Sequence, residues 1–221
     1  MKLNYGIRIF LSFLIMIATN SGKIYRFAMD HGLGYGFAEV YDFTDDSMFN
    51  GRYAFVYDRV DTDIKKEYSI TEIRSREIAI GPITLYKFPN VRGIGAWKYL
   101  FKTEDFLITD RPSHKYSQAA ILGNNWAESP WWHKCPYDMQ KLPEYVDYEQ
   151  LRPLETRILN GHTSVGMKFT MKNLLDHGKK VSDFYDLSQL GVKNMFVQLI
   201  NTYYPLEKTV EFLDQLPRKK T

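Results

Sequence analysis

An α+β fold, built as a curled, mostly antiparallel β-sheet or partial barrel followed by a C-terminal helical segment, is what this 221-residue sequence predicts. Three observations carry that expectation. Large rings alternate with small or polar residues between Gly22 and Asn90, glycine turns cut this stretch into short pieces, and the last third of the chain changes to helical spacing. Hydrophobic residues at 44%, with 16 Tyr and 14 Phe among them, supply a globular core and tilt the balance from disorder toward sheet.

The first strand is read over Lys23 to Asp30 (KIYRFAMD). In the second, Tyr35, Phe37, Tyr41 and Phe43 share one face, and Tyr53, Phe55 and Tyr57 repeat the pattern in the third. Asp30-His31-Gly32 with Gly34, and Asn50-Gly51, supply the turn chemistry between them. Connections this short cannot make a parallel crossover, so the pairing is antiparallel. Glu67 to Thr71 and Ile83 to Tyr86 read as two more strands, with Gly81-Pro82 marking the start of the second. Closure into a barrel would bury the ring face and remove edges. Strand-like texture continues over Ala96 to Thr109, and residues 110–146, rich in proline and holding Trp126, Trp131 and Trp132, read as a long ordered cover.

Helical signals take over after that. Asp186-Leu187-Ser188-Gln189 resembles a capping box, and Val192, Met195, Phe196, Leu199 and Tyr203 follow at helical spacing, which predicts a helix from about Leu187 to Thr202. Pro205 opens another, with Leu206, Val210 and Leu213 on one face, ending before Pro217. Asp147 with Gln150 caps a third near Leu151, interrupted by Pro153. Residues 164–177 fit both patterns, helical over Thr170 to His177 and strand-like over Val165 to Phe169. The chain thus divides into an apolar extension at 1–21, a β-rich domain at 22–146 and a helical region at 147–221 packed on it.

The extension leaves two readings open. Lys2 and Arg8 precede the apolar run Ile9 to Ala18, which is too short to span a bilayer but suits the apolar region of a secretory signal peptide. No A-x-A site follows it, so an incidental extension explains the run equally well. The expected location is cytoplasmic, with export to the periplasm as the alternative if residues 1–21 are a signal peptide.

Charge narrows the partners. The formal net charge is +3, but five cations (Lys2, Arg8, Arg218, Lys219, Lys220) and no acid lie in residues 1–21 and after Pro217, leaving the body at −2. Within it Glu39, Asp42, Asp45, Asp46, Asp58, Asp61 and Asp63 face only Arg52 and Arg59. Such a stretch favours a basic partner over phosphate, and the plain alternative is a set of solvated loop acids. A nucleic-acid partner is therefore not expected.

Catalytic chemistry finds little to rest on. The five histidines are scattered, and His133-Lys134-Cys135 offers two of the three or four ligands a zinc site needs. Calcium-loop spacing is absent from the acidic stretch. Gly32-Leu33-Gly34-Tyr35-Gly36 lacks the spacing of a phosphate cradle and joins two strands. The lone cysteine, Cys135, allows no intramolecular disulfide and is more commonly a buried thiol than a nucleophile. No enzyme, cofactor or metal is expected. Trp131 and Trp132 fit an interface anchor as well as a packed lid.

The succession GKIYRF, GLGYGFAEV, GRYAFVYDR and GPITLYKFPNVRGIGAWKYL resembles the bacterial polymorphic-toxin immunity protein 26 family over about residues 22–110. The resemblance implies a small, mostly β domain that neutralises a toxin, with nucleases as expected targets, by direct binding. It carries no catalytic residue and does not reach the helical third. The expected partner is a basic toxin, met by Glu39, Asp42, Asp45, Asp46, Asp61, Asp63, Trp131 and Trp132, and oligomeric state is left open. The alternatives are a generic β-barrel module for ligands or nucleic acid, with rings stacking on bases, and a Cys135-dependent hydrolase.

Overall fold

The computed structural model describes residues 22–42, 52–93, 95–103, 152–155 and 160–217, and the backbone of 114–117 and 132–135. These gather into two compact units, the first from 22–28, 34–103 and 160–162, the second from 29–33 and the remainder.

Unit 1 is a five-stranded antiparallel sheet, curled but open. Its strands are β1 (Lys23–Ala28), β2 (Tyr35–Asp42), β3 (Arg52–Tyr57), β4 (Ile78–Leu85) and β5 (Lys98–Lys102), in the order β4-β3-β2-β1-β5. The α+β class and the ring-rich antiparallel strands match the sequence expectation. Direct cross-strand partners point to the same face. Ile24 opposite Glu39, Arg26 opposite Phe37, Glu39 opposite Phe55 and Tyr41 opposite Tyr53 therefore place the predicted rings together. Phe37, Tyr41, Tyr53, Phe55 and Tyr57 are all buried there.

The sheet does not close into a barrel, because that face has another cover. The segment expected as a strand over Glu67 to Thr71 instead ends in a short helix, α1 (Ile70–Arg74). Ser69 accepts from the Glu72 amide and Glu72 reaches back to the Ser69 amide, a complete capping box that fixes the helical turn. From it Ile73 and the preceding Tyr68 reach a buried cluster with Ile24, Phe37 and Tyr57. Gly81-Pro82 also differs from expectation, lying inside β4 and not at its start. Proline is tolerated there because β4 is the terminal strand and its register with β3 is irregular at that point.

The opposite face buries Ala38, Val40, Ala54 and Val56, and stacks Trp97 on Phe27 with ring centroids 4.9 Å apart. Beside β4, Asn160 exchanges backbone bonds with the chain, donating to Thr84 and accepting from Tyr86.

Unit 2 holds a two-stranded ribbon, β6 (His114–Ser117) with β7 (Trp132–Cys135), and the helices α2 (His162–Asp176, from its second residue on), α3 (Leu190–Tyr203) and α4 (Leu206–Leu213). The stretch open to both readings is helix as far as Asp176. Lys179 donates to the Leu174 carbonyl around Gly178 at φ 68°, closing α2 with a Schellman turn. Helix α3 begins three residues later than expected, because Asp186 binds the Ser188 amide and hydroxyl in a local turn and leaves the capping position to Gln189. Helix α4 follows Pro205 as expected, but Leu206, Val210 and Leu213 are exposed, and Thr209 is its buried residue. Lys168 and Glu155 form a buried ion pair, which the Tyr203 hydroxyl also joins. The cap expected at Asp147 and Gln150 lies outside the described residues.

Candidate functional site

The acids singled out from the sequence do not form one surface. Glu39 sits in the middle of β2 and is 1% exposed. Strand parity carries it inward between Phe37 and Tyr41, and its carboxylate accepts from Tyr41, Tyr57 and the Arg74 guanidinium, which α1 delivers. Burial, and then the bond to Glu39, push the Tyr57 phenol well above the usual tyrosine range. Every member of this cluster is satisfied within the fold, which corrects the expectation that Glu39 offers charge to a partner. Asp42 closes the same strand, buried, with Arg52 opposite it at 3.7 Å. It too is a strand residue and not a loop acid.

Asp61 and Asp63 do lie in a loop. The Asp61 backbone bridges Tyr35 in both directions, and its carboxylate accepts from the Asp63 amide and from Lys66 at 3.2 Å. The adjacent Tyr68 hydroxyl, the Asp63 amide and Lys66 hold Asp61 well below the usual carboxylate range. Burial and Asp61 push the Tyr68 phenol up to about 12. Asp63 is exposed and accepts from the Lys65 amide. Asp45, Asp46 and Trp131 lie outside the described residues, and Trp132 and Cys135 are described only as backbone of β7.

A different site emerges on the ring face, at the β5 side of the sheet. A groove of about 650 Å³ runs between the loop residues Ile64 to Tyr68 and strand β5, and Arg26 opens onto it from β1. Its cations are Arg26, Lys65, Lys66 and Lys98, and Glu67 is its acid. Arg26 is 4% exposed, with its guanidinium 5.1 Å from the Tyr35 ring centroid. Lys98 stands directly opposite it across the β1–β5 pair. Among the described residues no carboxylate lies within ion-pair distance of either. The apolar wall is Leu100 and Phe101, packed against the Ile24–Phe37–Tyr68 cluster. The Tyr99 ring turns to the other face, where it meets Tyr25 at 5.9 Å.

Sequence reasoning missed this groove, since 26, 64–68 and 98–101 are separate in the chain. The available signal was Lys98-Tyr99-Leu100-Phe101-Lys102, a strand with cations at both ends. The arrangement can receive an anionic group beside an apolar surface. Among the described residues no three of His, Cys, Asp and Glu come together as metal ligands, and no helix is long and apolar enough to cross a membrane. Comparison with protein-family models, curated proteins and solved structures finds no match for this chain.

Proposed function

We propose that this protein acts by binding, as an immunity-type antagonist that blocks a bacterial toxin, with a nuclease as the target class that the resemblance over residues 22–110 implies. The observation that supports a binding role is the groove beside β5, a concave surface next to apolar wall whose Arg26 and Lys98 meet no carboxylate among the described residues. The aromatic strands are consumed as core, and the polar cluster at Glu39 is closed on itself, so neither offers a surface to a partner. The acidic steering inferred from composition loses Glu39 and Asp42, and the Asp61 charge is engaged with Lys66. Binding through the groove would therefore meet the acidic part of a toxin and not its basic surface.

Co-expression with a toxin encoded beside its gene tests the role. Growth should be restored in proportion to the amount of the protein, and the two should co-purify in a fixed ratio. Failure to rescue growth and failure to co-purify with such a toxin would overturn it.

A further inference from the structure

We infer that the groove beside β5 is a docking slot for an acidic, extended segment of a partner protein, with Arg26 and Lys98 receiving a carboxylate from it. The assignment rests on the reading of the chain as a binding protein and names the chemistry of its partner. Three observations converge on it.

The first is Arg26 itself. It is 4% exposed, lies against the Tyr35 ring and opens onto the groove, and among the described residues no carboxylate lies within ion-pair distance to answer its charge. A bound carboxylate would supply the missing charge with planar, two-point geometry. The second is register. Arg26 and Lys98 are direct cross-strand partners, and like charges so placed repel. One anion between them relieves both. The third is position, since β5 is the terminal strand of the sheet and the groove runs along it. A terminal strand can accept an extended peptide through main-chain bonds, while a side-chain pocket beside it reads identity.

The same cations argue against a nucleic acid. Lys66 is already paired with Asp61, and Glu67 stands on the rim. Polyphosphate binding draws its strength from a long track of cations, which this short groove does not supply.

Selection of phage-displayed random dodecapeptides on the full chain provides the probe. Synthetic versions of the winners are then titrated against the wild type, Lys98→Glu, Arg26→Gln and Arg26→Lys. Lys98 is exposed, so its reversal leaves the core intact. The winners should be rich in Asp and Glu. Their affinity should fall about 10- to 100-fold on Lys98→Glu and on Arg26→Gln, with Arg26→Lys retaining more. Neutral or basic winners, unchanged affinity for Lys98→Glu, or tighter binding of single-stranded oligo-dT in the same groove would each overturn the assignment. The rescue experiment separates the two ideas. Full rescue by Lys98→Glu would leave toxin blockade standing and remove the groove from it, whereas a wild type that never rescues overturns the role whatever the peptides show.

Discussion

Glu39 and Arg26 are both ionic side chains carried inward on the same face of the same sheet, and they differ in company. Glu39 meets a guanidinium and two phenols, so the cost of its burial is offset inside the fold. Arg26 meets a ring and stands across the β1–β5 pair from a second cation. A closed cluster of the first kind specifies structure, and an open one of the second kind leaves something for another molecule to complete.

The largest effect should come from opening the closed cluster. Glu39→Ala removes the carboxylate that accepts from Arg74, Tyr41 and Tyr57, and should destabilise unit 1 by about 3–5 kcal/mol in urea unfolding. Gly34→Ala tests the wall of the open site. Gly34 sits at φ 120°, and an added Cβ would lie 2.6 Å from the Asp61 carbonyl, against the bridge that anchors the 61–68 loop. It should cost about 1–3 kcal/mol, and weaken any ligand of the groove more than it weakens the Glu39 cluster. Ser69→Ala removes the cap that positions Arg74 and should cost about 1 kcal/mol. Arg26→Met should change stability by no more than about 1 kcal/mol, because it loses a ring contact and, among the described residues, no ion pair. A loss as large as that of Glu39→Ala would erase the contrast between the two sites.

Acid provides the finest test. The folded Asp61 carboxyl lies below its unfolded value of about 3.9, so its contribution is complete well above that pH and is lost as pH falls through it toward the folded value. Asp61→Asn should flatten the acid limb of the stability profile, read by thermal unfolding between pH 6 and about pH 2.

How much of this was legible follows from strand parity. The rings of β2 and β3 announced both the strands and their buried face, and the same alternation already put Glu39 between Phe37 and Tyr41 on that face. Reading Glu39 by its charge instead of its position hid it among the loop acids. The strand expected over 67–71 failed because Ser69 and Glu72 form a capping box, a local signal stronger there than the apolar pattern. Barrel closure was an inference about edges, and α1 buries the ring face without it. The groove was out of reach for a different reason. Arg26, Tyr68 and Lys98 become neighbours only when β5 returns to pair with β1, and no spacing along the chain encodes that.

Asn160 gives unit 1 a timetable. It lies 76 positions beyond Thr84, yet its backbone bonds complete the end of β4. At roughly 5–20 residues per second on a ribosome, that edge would wait about 4–15 s for its partner. For those seconds the nascent sheet offers a bare strand end to neighbouring chains, which makes Asn160→Pro, unable to donate to Thr84, a variant to watch for aggregation during synthesis rather than for loss of stability afterwards.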